Sequence, residues 1–249
     1  MSHSNDFNKD NIEIYLKDFA EEYKKLTKEK QSLKIVLVGG ASVLLNYSFR
    51  KSTNDIDYSN PQSTIIDKAA ERTAVKYGLF KNWLNNDFRK TSSYSDKIDE
   101  ISVFHKKISD ILEIRTISPE YLIVMKLMAF RDNKHDQSDI AGILMECKEN
   151  GKPLKIENIE NAAVTLYGNI EKLPKKSLIM LNNLIERNDY KKDYLYLRNR
   201  EDAVKNKYKE LRKENLLDVD RLDHKTLLIK AANRINDKLE KYDDNIFNE

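Results

Sequence analysis

The stretch from Leu33 to Val38 is apolar, rich in β-branched residues, and ends at Gly39-Gly40. A run this short, closed by two glycines, reads as a buried strand stopping at a turn. The next residues narrow the architecture. Ala41 to Tyr47 suits a helix opening from the glycines, and Thr53 to Tyr58 suits a second strand. On that strand Asp55 and Asp57 are two apart and share one face, while Ile56 and Tyr58 point the other way, toward a core. Strand, turn, helix and strand in this order predict an α+β fold.

The flanking segments extend the pattern. Ile12, Tyr15, Leu16, Phe19, Tyr23 and Leu26 recur at helical spacing and predict a helix from Asn11 to Lys30. Ser63 to Tyr77 predicts another, followed by an irregular stretch from Gly78 to Asp99. Ile101–Lys107 and Ile111–Ile117 predict paired strands turning near Ser109-Asp110. Ser118-Pro119-Glu120 is a helix start, and Tyr121 to Phe130 is apolar almost all round, as a buried helix is. A further helix is expected over Asp136–Glu149, stopped by Asn150, Gly151 and Pro153. That break divides the chain into a mixed domain, 1–150, and a mainly helical C-terminal region, 151–249, with helices over Ile156–Tyr167, Lys175–Asn188, Asp193–Glu214 and His224–Tyr242.

Charged residues make up 34% of the chain and hydrophobic ones 40%, the balance of a folded, well-solvated protein. No stretch approaches the roughly 20 apolar residues of a membrane-spanning helix. Met1 to Lys9 lacks the apolar core of a signal peptide. The single cysteine, Cys147, excludes an internal disulfide and cannot build a cysteine metal site alone. A cytoplasmic location without a membrane partner is the expectation. Net charge is +3, too small to demand a nucleic-acid partner. The basic clusters at Lys24–Lys30, Lys172–Lys176, Lys191–Arg200 and Lys205–Lys213 read as solvated helix faces, or as a phosphate-attracting surface if several line one groove.

Two carboxylates held close together repel unless a cation lies between them, and hard oxygen ligands of this kind suit Mg2+ with substrate phosphates. Gly39 and Gly40 would let backbone approach a triphosphate, and the helix after them offers N–H groups to it. Lys126 is the one charge in an otherwise apolar helix, so it should reach a carboxylate or a bound phosphate; Arg131 could do the same or form a surface salt bridge. Asp132, Asp136 and Asp139 share a face if their helix is continuous, with Asp136 also a capping candidate. Glu113 and Arg115 share a strand face, where a cross-strand ion pair is the ordinary reading. Ser42 caps its helix or meets phosphate. His105 and His135 are lone histidines, and Trp83 suits the core.

Val38-Gly39-Gly40-Ala41-Ser42, a spacer of 14 residues from Ala41 to Asn54, and Asp55-Ile56-Asp57 resemble the signature of the DNA polymerase beta-type nucleotidyltransferase superfamily. Arg50-Lys51-Ser52-Thr53-Asn54-Asp55-Ile56-Asp57 resembles its Gly-Gly variant in bacterial AbiE-type toxins and their uncharacterised relatives. Tyr77-Gly78-Leu79, Trp83 to Asp87, Ser118 to Arg131 and Asp136 to Ile140 extend the likeness, which spans roughly Ile35 to Leu144. The resemblance implies a small mixed sheet flanked by helices, and Mg2+-dependent transfer of a nucleotidyl group from a nucleoside triphosphate to an acceptor hydroxyl, with Mn2+ as a possible substitute. It implies Asp55 and Asp57 as metal ligands, Glu113 as a third carboxylate, Gly39, Gly40, Ser42, Lys126 and Arg131 at the nucleotide, and Asp139 as a functional aspartate. It further implies RNA, such as a tRNA 3′ end, as acceptor, and a toxin or phage-defence role with an antitoxin protein as partner. A small-molecule, aminoglycoside-type nucleotidyltransferase and a non-catalytic binding protein on the same fold are the alternatives.

Overall fold

The computed structural model describes residues 6–28, 31–215 and 222–239. It divides into two compact units, Met1–Met125 with Ile156–Gly168, and Lys126–Lys155 with Asn169–Glu249.

The first unit opens with α1 (Lys9–Thr27). Asn8 accepts the Asp10 and Asn11 N–H groups, and the Asn11 side chain returns a bond to the Asn8 N–H, so the free donors of the first turn are satisfied. Ile12, Leu16, Phe19, Ala20 and Tyr23 form its buried stripe. The helix ends at Lys28, in the left-handed region at φ 51°; residues 29 and 30, expected to continue it, lie outside the described residues. The chain then runs through β1 (Leu33–Val36), α2 (Gly39–Asn46), β2 (Ile56–Asp57), α3 (Thr64–Tyr77), β3 (Leu84–Asn85), α4 (Ile98–Ile101), β4 (Ser102–Ile108), β5 (Leu112–Ile117) and α5 (Pro119–Ala129). α7 (Ile156–Tyr167) returns to this unit after α6 (Asp136–Glu149).

Three strands order as β1-β5-β4, with β1 parallel and β4 antiparallel to β5. The β4–β5 turn carries Ser109 and Asp110 at φ 49° and 53°, and aspartate is among the residue types that tolerate this region. β2 and β3 form a separate parallel pair, and an antiparallel bridge from Leu37 to Tyr58 ties it to the end of β1. The architecture is the expected α+β fold with a small mixed sheet. Two details differ. The strand expected over Thr53–Tyr58 shortens to Ile56–Asp57, because Thr53 pairs with Phe7 instead. The stretch expected to be irregular contains β3 and a 3-10 turn at Asp87–Lys90. Phe7, Leu37, Ile56, Tyr58, Trp83 and Leu112 lie in the core, where the Trp83 indole N–H donates to the Ala70 carbonyl at 2.9 Å.

The second unit packs α6 against α9 (Tyr190–Asn215), with α8 (Lys175–Arg187) and α10 (His224–Leu239) alongside α9. Val204, Tyr208, Leu211, Leu227, Ala231 and Ala232 make the apolar seam between α9 and α10. Residues 240–242, expected in the last helix, lie outside the described residues. The C-terminal region is helical, as expected. No helix among the described residues is long and apolar enough to cross a membrane.

Candidate active site

β2 is only two residues long, yet both its edges are bonded. Ile56 and Tyr58 donate to the Trp83 and Asn85 carbonyls at 2.8 and 2.9 Å. On the other edge the Val38 N–H donates to the Asp57 carbonyl at 3.0 Å, and the Ser59 N–H to Val36 at 2.9 Å. Ile56 and Tyr58 are fully buried while Asp55 and Asp57 are half-buried, the alternation a strand imposes. The Val38–Asp57 bond sets the carboxylate strand beside the glycine turn.

α2 begins at Gly39, whose φ of +56° is left-handed, and a Cβ there would stand 3.4 Å from Asp57 Oδ2. The Asp57 carboxylate thus lies against the first residue of α2. Gly40 has a different reason to be glycine. A Cβ at this position would fall 2.5 Å from Thr53 Oγ1 and 3.1 Å from Arg50 Nη2. Thr53 is held in place, exchanging two backbone hydrogen bonds of 2.8 Å with Phe7 and donating its hydroxyl to the Asp55 carbonyl at 3.2 Å. The position a side chain would take at Gly40 is occupied by Thr53 and Arg50.

Ser42 is fully buried, and its Oγ accepts the Ile117 N–H at 3.1 Å. It fastens α2 to β5 and is not the cap of its helix, where Val38 stands. Glu113 pairs with Arg115 on its own strand at 2.9 Å, and Arg115 also donates to the Ser102 hydroxyl and carbonyl. The β1–β5 register sets Glu113 opposite Lys34 and Arg115 opposite Val36. Continued by two residues, that register brings Ile117 level with Val38, the residue bonded to Asp57. Glu113 therefore sits four residues back along β5, about 13 Å, and is not brought to the Asp55/Asp57 pair. Among the described residues no group of three or more His, Cys, Asp or Glu side chains is gathered for a metal. A cation not expected from the sequence stands near the strand: Arg89 Nη1 donates to the Ser59 carbonyl at 2.7 Å, and its guanidinium lies 4.6 Å from the Tyr94 ring centre.

The remaining expected residues, Lys126, Arg131 and Asp139, belong to the second unit. Lys126 is 6% exposed and pairs with Asp136 at 2.9 Å and Asp139 at 3.0 Å, the carboxylate option of the two open to it. Asp136 also accepts the Arg131 backbone N–H at 3.1 Å and its Nε at 2.8 Å. Burial alone would raise the Asp136 pKa, but Lys126 and Arg131 outweigh it and hold the carboxyl well below the usual range. Asp139 accepts from Arg198 at 3.1 Å. α6 begins at Asp136, so Asp132 precedes the helix rather than sharing its face; it accepts from Gln137 and Arg200. His135, expected as a hydrogen-bonder outside any histidine cluster, meets Asp202 at 2.8 Å.

Sequence reasoning missed the partner that closes this cluster. Glu201 of α9 is fully buried and accepts the Gln137 N–H at 2.8 Å, the Ser138 N–H and the Ser138 hydroxyl. It caps the start of α6 from another helix. Burial pushes its pKa up to about 8; Asp139 adds to this, while the Ser138 and Gln137 bonds oppose it. A signal was present. Leu197, Glu201, Val204, Tyr208 and Leu211 recur at three- and four-residue spacing, so Glu201 occupies a position of the apolar stripe.

No curated protein and no solved structure matches the chain. A family model matches residues 15–195, from within α1 to the first turns of α9, and so takes in β1, the glycine turn, β2, Lys126, Asp136 and Asp139, while Arg198 and Glu201 lie beyond it. With that span, most of its length, the chain belongs to the family described as nucleotidyltransferase of unknown function (DUF6036).

Proposed function

We propose that this chain transfers a nucleotidyl group from a nucleoside triphosphate to an acceptor hydroxyl in an Mg2+-dependent reaction. The observation that carries this is the placing of the Asp57 carboxylate against Gly39, with half-buried Asp55 immediately before the strand and Ile56 and Tyr58 in the core. The donor set fits Mg2+, a hard cation that takes a few carboxylate oxygens and fills its remaining positions with water and phosphate oxygens. Asp55 and Asp57 would hold it. When bound, Mg2+, or Mn2+ in its place, would neutralise phosphate charge and lower the acceptor hydroxyl's pKa. The first-turn N–H groups of α2, beginning at Gly39, are oriented for an anion. In the transfer, the acceptor oxygen bonds to the α-phosphorus and pyrophosphate leaves.

The AbiE-type resemblance supports RNA, including a tRNA 3′ end, as acceptor, and a cytoplasmic toxin role with an antitoxin protein as partner.

Purified protein incubated with labelled triphosphates, Mg2+ and either total RNA or an aminoglycoside tests the reading. RNA should be labelled, and Asp55→Ala and Asp57→Ala should each lower the rate about a thousandfold with the melting temperature retained. Chelation should abolish labelling and Mn2+ restore it. No product from either acceptor would sink the proposal, and labelling of the aminoglycoside alone would replace RNA with a small molecule.

A further inference from the structure

We propose that Arg50 is a phosphate-binding residue of this site, holding the triphosphate at the start of α2; this rests on the nucleotidyl-transfer reading above. The guanidinium lies on the glycine turn itself, with Nη2 3.1 Å from where a Gly40 Cβ would be. Its Nε donates to the Ser52 carbonyl at 2.8 Å, which fixes the plane of the group. Arg50 is half-buried, so it is ordered by the protein while keeping access to solvent. At the neighbouring residue, Gly39, the group against the turn is the Asp57 carboxylate. A cation and an anion thus flank two consecutive residues at one helix start.

That arrangement answers a charge problem. A nucleoside triphosphate carries more negative charge than a single divalent ion cancels, and the carboxylates that hold the ion add more. The α2 N-terminus supplies only partial positive charge. A guanidinium beside it supplies a full charge with planar, forked donors matched to phosphate oxygens. Arg50 is also already immobilised, so little side-chain entropy is lost when it binds. The competing role is an internal counter-ion, in which Arg50 serves only the carboxylates. The two roles separate by ligand. A phosphate-binding residue favours triphosphate over monophosphate, whereas an internal counter-ion acts on metal affinity without telling the two nucleotides apart.

The full-length chain is titrated with Mn2+ alone, followed by electron paramagnetic resonance, and then with a nucleoside triphosphate and the matching monophosphate in the presence of Mn2+, followed by calorimetry. In Arg50→Gln the triphosphate dissociation constant should rise about tenfold or more. Monophosphate binding should change much less. Arg50→Lys, with a point charge and no fork, should fall between. Unchanged triphosphate affinity in Arg50→Gln, or equal losses for both nucleotides, would each overturn the inference. A measurement on unaltered protein stands independently of whether the variants fold. Triphosphate with Mn2+ should protect Arg50 from an arginine-modifying dicarbonyl, mapped by peptide mass, and monophosphate should not; an absence of protection overturns the role. Should the wild type bind no triphosphate of any base, the nucleotidyl-transfer reading fails and Arg50's role with it. Should the wild type bind and Arg50→Gln bind equally well, Arg50's role alone fails.

Discussion

An alanine methyl at position 40 would come within 2.5 Å of Thr53 Oγ1, and that hydroxyl has little room to yield. Moving it breaks the bond to the Asp55 carbonyl or disturbs the backbone pairing with Phe7. Gly40→Ala should therefore destabilise the protein by about 2 kcal/mol through overpacking. Gly39→Ala has a different penalty, about 1 kcal/mol for a left-handed residue with a side chain, in contact with Asp57 Oδ2. The two origins can be told apart. In a Thr53→Ala background the Gly40→Ala change should cost about 1 kcal/mol less than in the wild type, read from denaturant unfolding of all four proteins. Strictly additive costs would show that Thr53 is not what limits position 40. The pattern of glycines, spacer and Asp-Ile-Asp was legible in the sequence, because turns and strand alternation are local. The reason for Gly40 was not, because it depends on where Thr53 and Arg50 come to lie.

At the scale of elements, α6 and α7 begin and end where helical periodicity and turn residues place them, at Asp136–Glu149 and Ile156–Tyr167. What periodicity did not reveal is that the first turn of α6, Asp136-Gln137-Ser138-Asp139, is fully polar and fully buried. Charged residues read as solvated unless their partners are known, and these partners come from α5, the segment before α6, and α9. The same distance in sequence hid the misplacement of Glu113, which only the β1–β5 register shows. Two members of the cluster give the second unit a signed pH dependence. Glu201, raised from 4.5 to about 8, holds its proton in the folded state and not in the unfolded one across that window. Its contribution is present below pH 4.5 and is lost as pH rises toward 8, at up to about 1.4 kcal/mol per pH unit. Asp136 is lowered, so its contribution is present above the usual carboxylate range and is lost as pH falls below it. From these two groups stability should peak at about pH 4, between their ordinary values of 3.8 and 4.5. Thermal melts at a series of pH values should show Glu201→Gln flattening the alkaline limb and Asp136→Asn flattening the acid one. Asp136→Asn should also cost about 3–5 kcal/mol, since it leaves Lys126 buried with a lost partner. An alkaline limb of unchanged slope in Glu201→Gln would assign that dependence to other groups.

For the whole molecule, Asn150, Gly151 and Pro153 mark where α6 stops, with Gly151 at φ 70°, while the compact units divide elsewhere. Turn residues report the end of a helix and carry no information on where the next helix packs. α7 comes after that break and yet belongs to the unit that holds the Asp55/Asp57 strand. The Ser95 hydroxyl donates to the Leu166 carbonyl at 2.9 Å, and the Tyr167 hydroxyl donates to the Ser93 carbonyl at 2.7 Å. Leu166 is buried, and burial pushes the Tyr167 pKa upward. A chain cut after Asn150 loses both bonds and uncovers what Leu166 and Tyr167 shield, whereas a chain cut after Gly168 keeps them. At about 1 kcal/mol for each hydrogen bond and rather more for the apolar area, the shorter chain should be less stable by about 3 kcal/mol. For a domain of this size that corresponds to roughly 10 °C in melting temperature. Trp83, the chain's single tryptophan and fully buried in this unit, is the reporter. Its emission should shift to the red at lower temperature in the 1–150 chain than in the 1–168 chain. Both chains lack α9, so the disruption of the Lys126 cluster is common to them and cancels in the comparison. Coincident transitions would show that α7 adds nothing to the unit carrying the carboxylate pair, and that the pair's scaffold is complete by residue 150.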